Sequence, residues 1–285
     1  MSSLIKFVRN FDIIGDVHGH AEQLLELLDI LGYRNKGLIH PLGNTAIFVG
    51  DLINRGPNTI RVLEIIQKMY SKKRAFVVLG NHEFRLIQDS VIDSEKIDPR
   101  IKPFIPWLKE LPFFLDLPDL RVVHATWHFS SIQKLKGKKA TDEKFLKSTM
   151  EKGSESQLAT KVILSGIKVR LPDDFNYLDR FKIQRKKARI RWWEEKKTKI
   201  SGKNFFPACK KNKNNHFDCE SSTPLESYHQ KEKPVFFGHY CLPPHESKVN
   251  GNTVCVDGCV SCDKVLWGYR FKKENIISPK FLVHT

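Results

Sequence analysis

No stretch of this 285-residue chain approaches the ~18 consecutive apolar residues that a membrane-spanning helix requires, and its N-terminus has no apolar core followed by a cleavage site. The first absence excludes a spanning helix. Both together set the expectation of a cytoplasmic protein with no membrane partner, although export by a route that leaves no such signal stays open. Cysteine is missing from the first 208 residues, and the six present stand at 209, 219, 241, 255, 259 and 262. So late a set in so long a chain excludes a disulfide framework as the basis of the fold. Cys255, Cys259 and Cys262 resemble half of a zinc site that has no second half, and free thiols on a β-hairpin are the expectation. No internal repeat is evident. Acidic residues are in deficit, 32 against 48 Lys and Arg, for a net charge of +16. The excess points to an anionic partner such as phosphate, nucleotide or nucleic acid, or it is a solvated basic surface.

What the chain does have is a repeated rhythm. Phe11 to Ile14 reads as a buried strand, and after a turn Leu24, Leu27, Leu28 and Leu31 recur at helical spacing up to Gly32. A second strand at 45–49 runs into Gly50-Asp51, and Pro57 opens a helix. A third at 75–79 runs into Gly80-Asn81-His82-Glu83 and another helix. Three β-loop-α units predict a largely parallel sheet covered by helices. A strand at 120–123 ends in His124, and one at 234–237 ends in Gly238-His239. Residues 253–256 and 264–271 read as an antiparallel pair around Asp257-Gly258.

Every polar cluster falls where a strand ends, which is where open α/β sheets place their ligands. Asp16 and His18, two apart in extended chain, point the same way. With Asp51 they can hold one divalent ion. Asp51, Asn81, His124 and His239 can hold a second, with Asp51 shared. Two such ions polarise a phosphoryl group and generate a nucleophilic hydroxide. The mixed oxygen and nitrogen donors suit Mn, with Fe or Zn as alternatives.

Gly-Asp-Val-His-Gly, Gly-Asp-Leu-Ile-Asn-Arg-Gly, Gly-Asn-His-Glu, Val-Val-His-Ala and Phe-Gly-His, in that order, resemble the five motifs of the calcineurin-like metallophosphoesterases. Within that superfamily the chain is similar to the phosphoprotein phosphatase branch, and most of all to bacterial members near the symmetrical diadenosine tetraphosphate hydrolases. The resemblance implies a four-layer αββα sandwich and a metal-bridging hydroxide attacking phosphorus in line. It matches Asp16, His18, Asp51, Asn81, His124 and His239 to metal ligands, His82 to the acid that protonates the leaving oxygen, and Arg55 to the phosphate grip. Asn54 departs from the pattern, because protein phosphatases of this branch usually carry Asp there. Asn54 can orient His82 through its carbonyl oxygen but cannot stabilise an imidazolium with a full charge. That favours substrates with good leaving groups.

Residues 128–233 break the rhythm and read as a basic, largely helical insertion or cap within a single 1–285 domain. Residues 184–198 are expected to form a basic helix, from which Arg189 and Arg191 reach a second phosphate or simply face solvent. Trp192 and Trp193 anchor that helix or stack on a base. The substrate classes in view are phosphomonoesters and nucleoside polyphosphates, with a serine/threonine or tyrosine phosphoprotein as the alternative. A nucleic-acid-binding protein is disfavoured, because mere binding does not need six ordered ligands. Glu83 is expected to support its loop, His20 to start a helix, and Asp257 to be structural. His128 is either structural or adjacent to substrate.

Overall fold

The sequence pattern of the first strands shows how they sit between two layers. Along Phe11–Ile14, Phe11 and Ile13 enter one apolar cluster and Ile14 enters another. Along Thr45–Phe48 and the residue after it, Ile47 and Val49 take the first side while Ala46 and Phe48 take the second. Side chains alternate in direction along a strand, so a continuous apolar run means burial on both faces.

The computed structural model describes residues 10–35, 37–170, 177–178, 183–194, 200–201, 204–206, 216–217, 223–274 and 276–285. In chain order the regular elements begin with β1 (Phe11–Ile14), α1 (Ala21–Ile30), β2 (Thr45–Phe48), α2 (Thr59–Ser71), β3 (Ala75–Val77), α3 (Asn81–Ile92), α4 (Ile105–Glu110), β4 (Phe114–Asp116) and β5 (Arg121–Val123). Then come α5 (Phe129–Leu135), α6 (Glu143–Ser148), α7 (Glu155–Ser165), β6 (Lys168–Arg170), β7 (Tyr177–Leu178), β8 (Gln184–Arg185), β9 (Lys187–Ile190), β10 (Ile200–Ser201), β11 (Phe205–Phe206) and β12 (His216–Phe217). The last are β13 (Val235–Phe237), β14 (Val249–Asn250), β15 (Thr253–Cys255), α8 (Val260–Asp263), β16 (Trp267–Phe271) and β17 (Leu282–His284).

Two five-stranded sheets face each other, with strand orders β17-β16-β1-β2-β3 and β14-β15-β13-β5-β4. Strands β1, β2 and β3 are parallel to one another, as are β5, β13 and β15. Ile13, Ile47 and Val78 of the first sheet meet Val122, Phe236 and Val254 of the second in a shared core. The outer faces lie under helices. Leu24, Leu27, Leu28, Leu63 and Ile66 cover the first sheet, and Leu135, Ile163 and Leu164 pack in the same cluster as Val235 and Phe237 of the second. This is the αββα sandwich, with helices α5 to α7 leading the insertion.

Three local expectations need correction. Helix α2 starts at Thr59, so Pro57 lies before its cap Asn58 rather than in its first turn. Strands β15 and β16 do not pair with each other. β15 pairs with β13 and β14, while β16 pairs with β1 and β17. The segment between them contains α8 with left-handed residues at both ends, Cys259 and Lys264, and it carries the chain from one sheet to the other. The described part of the expected 184–198 helix contains no helix: Gln184–Arg185 and Lys187–Ile190 are strands, and 191–194 are a turn. Ala188 and Ile190 are buried while Lys187 is exposed and Arg189 half-buried, which is a period of two, and β9 lies between β6 and β11. Residues 195–198 of that expected helix lie outside the described residues.

Candidate metal centre

Each candidate ligand follows a strand, and the turns that present them are unusual. His18, Asp51, Asn54, Arg55 and His239 all have positive φ, between 44° and 71°. Few side-chain-bearing residues adopt that conformation, and where they cluster they mark a backbone held by its surroundings. Glycine makes room for it. A Cβ on Gly80 would lie 2.2 Å from the Asp51 amide nitrogen, and one on Gly238 would lie 1.9 Å from Oδ1 of Asp16. The loops are therefore in backbone contact.

Glu83 ties two of them together. Its fully buried carboxylate accepts from the N–H of Asp51 (2.8 Å), Leu52 (2.8 Å), Ile53 (3.1 Å) and its own loop's Gly80 (3.0 Å). Burial, and next the repulsion of Asp51, push Glu83 up to about 7 despite those donors.

Asp51 is the hub. Its Oδ1 lies 3.4 Å from His124 Nε2, and its Oδ2 lies 3.6 Å from His18 Nε2 and 3.9 Å from His82 Nε2. Burial alone would raise its pKa, but the imidazoles of His124, His18 and His82 outweigh burial and hold the carboxylate well below its ordinary range. His18 donates from Nδ1 to the Ile53 carbonyl at 3.1 Å, and His124 donates from Nδ1 to the Val49 carbonyl at 2.9 Å. A carbonyl only accepts, so both rings are fixed with the Nε2 lone pair turned toward Asp51, as in histidines that bind metals.

Two groups of ligand atoms, each within 4.8 Å of one another, result: His18, Asp51 and His82, and Asp51, His124 and His239. Asn81 joins the second, with Oδ1 3.1 Å from His124 Nε2, which is itself 3.2 Å from His239 Nδ1. Reversed, the Asn81 amide would donate to both rings and need no ion. With oxygen inward, Asn81 Oδ1, His124 Nε2 and His239 Nδ1 converge on a point that a cation, or a proton on His124, satisfies. Asp16 stands in the same cavity, its Oδ2 accepting from the His239 N–H at 3.0 Å, while its buried Oδ1 has no hydrogen-bond partner among the described residues. Burial, Asp257 and Asp51 together push Asp16 well above the carboxylate range. A buried acid among acids, with an orphaned oxygen, fits a divalent cation.

His82 faces a second groove with Asn54, Asn81 and Arg85. Asn54 contacts His82 Nδ1 at 2.8 Å through its amide nitrogen rather than the carbonyl oxygen expected from the sequence. An amide N–H donating to Nδ1 leaves the neutral ring with its proton on Nε2, the atom that faces Asp51. Burial, and then the surrounding cations, lower His82 to about 4 despite Asp51.

Asp16, His18, Asp51, Asn81 and His239 line a cavity of about 500 Å³ that also has a basic wall. Arg55 borders it, and Lys168, Arg185, Lys187 and Arg189 of the β6–β9 region close it, with Phe206. Arg191 is not in that wall. Its guanidinium binds Glu246 at 2.7 Å and Glu194 at 3.5 Å and lies over Phe206. Trp192 and Trp193 are buried, and Trp192 donates to the Ala125 carbonyl at 2.9 Å, which makes them anchors rather than a base platform. His20 caps α1, as expected. His128 caps α5 and contacts Glu226. Asp257 accepts from the N–H of Cys241 and Cys259. Those two cysteines form a disulfide, against the expectation of free thiols. The linear spacing of 18 concealed a pair that the sheet crossover brings together.

Of the basic wall the sequence singles out only Arg189, because Lys-Ala-Arg-Ile-Arg reads as a helix face and Lys168, Arg185 and Lys187 carry no motif. The alternation of basic and apolar residues in that segment was the available signal for a strand.

The chain belongs to the calcineurin-like phosphoesterase family, whose sequence profile matches residues 9–243. Among curated proteins it is 50% identical over 74 residues to the asymmetrical bis(5'-nucleosyl)-tetraphosphatase PrpE of Halalkalibacterium halodurans, covering 25% of this chain and 30% of that one. It is 32% identical over 149 residues to PrpE of Oceanobacillus iheyensis, covering 45% and 59%. A symmetrical bis(5'-nucleosyl)-tetraphosphatase of Wigglesworthia glossinidia brevipalpis is 33% identical over 111 residues, covering 35% and 38%. The chain thus spans less than two thirds of each of these relatives, and they fall on both sides of the symmetrical and asymmetrical division. A protein serine/threonine phosphatase from Saccharomyces cerevisiae shares the fold with a TM-score of 0.52 at 15% identity, over 97% of this chain and 78% of that one.

Proposed function

We propose that this protein is a dinuclear-metal phosphoester hydrolase acting on nucleoside polyphosphates. The observation that carries the substrate class is the register of the basic wall. Lys168 stands directly opposite Arg189, and Arg170 opposite Lys187, on one face of the β6–β9 pair. Like charges directly opposite each other destabilise a sheet. Lys168, Lys187 and Arg189 line the cavity, where an anion of several charges lying among them makes the arrangement favourable.

Asp16, His18, Asp51, Asn81, His124 and His239 would hold the two ions, which supply Lewis-acid polarisation of the phosphoryl group and activation of water. Mn is the best match to the donor set, with Fe or Zn next. The chain's own residues do the rest. Arg55 grips two oxygens of the scissile phosphate with its guanidinium fork. Lys168, Lys187 and Arg189 bind the phosphates beyond it. Asn54 holds His82 with a proton on Nε2 for the departing oxygen. A neutral imidazole is a weak acid, so the leaving group must carry its own charge well, as a nucleoside phosphate does.

The test is purified protein with Mn, assayed in parallel on diadenosine tetraphosphate, p-nitrophenyl phosphate and phosphopeptides. The expected order places the tetraphosphate first in kcat/KM by at least about 10-fold, the value of one additional charge-assisted contact. Turnover concentrated on phosphopeptides would move the reading to a protein phosphatase. Absence of metal-dependent hydrolysis, with Asp51→Asn no different from wild type, would overturn the enzyme itself.

A further inference from the structure

Three sulfurs meet at the rim of the metal cavity. Cys241 and Cys259 are disulfide-bonded, with Cα atoms 4.3 Å apart, and the Cys262 sulfur completes a group whose ligand atoms lie within 4.8 Å of one another. Cys241 and Cys259 line the cavity together with Asp16, His18 and His239. Cys241 is two residues beyond His239, and Cys259 is two beyond Asp257. The bridge therefore joins the His239 loop to the β15–β16 crossover. Cys241 and Cys259 both have left-handed backbones (φ 48° and 64°), and both donate an N–H to Asp257, at 2.5 and 2.8 Å. Cys259-x2-Cys262 spans one turn, closed by the Cys262 N–H donating to the Cys259 carbonyl at 2.9 Å. Cys262 is half-buried, whereas Cys255 is buried and is not one of the three.

We propose that Cys241, Cys259 and Cys262 form a thiol–disulfide exchange site in which the bridge moves between Cys241–Cys259 and Cys259–Cys262, tethering or releasing the loop that carries His239. The Cys262 thiolate attacks the Cys259 sulfur. A Cys259–Cys262 bond forms, the Cys241–Cys259 bond breaks, and the electron pair leaves on the Cys241 sulfur, which takes up the proton Cys262 gave away. The step is redox-neutral. Full opening takes two electrons and two protons from two molecules of a low-molecular-weight thiol such as glutathione, which leave as their disulfide.

Cleavage after Lys248 and Lys264 places Cys241 on one peptide and Cys255, Cys259 and Cys262 on the next. Full-length protein equilibrated across glutathione redox buffers, acid-quenched, alkylated and cleaved there therefore separates a bridge between the peptides from one within the second by mass, and fragmentation of the second peptide assigns the cysteines. Both bridges are expected in wild type, and only the Cys241–Cys259 bridge in Cys262→Ser. Mn affinity, measured by calorimetry without substrate, is expected to differ at least about 3-fold between bridged and reduced wild type, and not to differ in Cys241→Ser. Recovery of the Cys241–Cys259 bridge alone at every redox poise, or equal Mn affinity in the two wild-type states, overturns the proposal.

Discussion

Lys168 and Arg189 face each other in register across two antiparallel strands, two cations on the wall that looks onto the metal ligands. Like charges opposite one another weaken a sheet, while Arg189 also donates from Nε to the Ser165 carbonyl at 3.2 Å. Arg189→Met is expected to raise KM for a nucleoside polyphosphate by about 10-fold, the loss of one charged contact. KM for p-nitrophenyl phosphate should move less than 2-fold, and stability should change by less than about 1 kcal/mol, because relief of the like-charge pair offsets loss of the hydrogen bond to Ser165. Steady-state kinetics on both substrates and urea unfolding read these outcomes.

The same wall sets an alkaline limit. Partial burial, followed by the like charges of Arg189, Lys161, Arg185 and Lys187, pulls Lys168 down to about 8, although its ammonium reaches solvent. A lysine is charged below its pKa, so the wall loses a cation as pH rises through 8. KM for polyphosphate is expected to climb above that pH. Lys168→Met should start from a higher KM and lose the climb.

Asn54→Asp tests the partner of His82. A carboxylate 2.8 Å from Nδ1 accepts where the amide now donates, so the ring gains a proton and a stabilised charge. Activity on alkyl phosphates is expected to rise about 10-fold relative to aryl phosphates, in line with one pKa-matched general acid. An unchanged ratio removes Asn54 from the specificity argument.

Metal loading is expected to release protons. Burial opposes a charge on His124, but Asp51 outweighs it and raises the ring above its ordinary value in the ion-free protein. Asp16 is raised as well. A cation must displace the protons these groups hold, so apparent Mn affinity should increase about 10-fold per pH unit for each proton released, flattening once they are deprotonated. Calorimetry in buffers of different ionisation enthalpy counts the protons.

Glu83→Gln would leave four backbone N–H groups facing an amide with a single acceptor oxygen. At about 1–3 kcal/mol for each buried donor left unsatisfied, a loss of about 3 kcal/mol is expected, together with weaker Mn binding because Asp51 is no longer held. Equal stability and metal affinity would show that the Asp51 and Gly80 loops stand without it.

Local composition and order went far here. The apolar runs at 11–14, 45–49 and 75–79, with helical repeats after each, announced parallel strands because both faces of each strand had to be covered. The polar residues at the strand ends announced a candidate metal centre because backbone geometry points them to one edge. Asp16, His18, Asp51, Asn81, His124 and His239 were legible for that reason, and Glu83 as a loop support. Other features depend on which strand lies beside which, and linear spacing does not carry that. Helix and strand competed for Lys187–Ile190 until pairing with Lys168–Arg170 chose the strand and built the basic wall. Arg191 carries the same charge as Arg189, yet Glu246, 55 residues away in sequence, holds it outside the cavity. Cys241 and Cys259 met only because β15 and β16 belong to different sheets and the crossover between them passes the His239 loop. The sequence determined the chemistry of the cavity; long-range packing decided what lies across from it, because that depends on contacts between segments that share no local pattern.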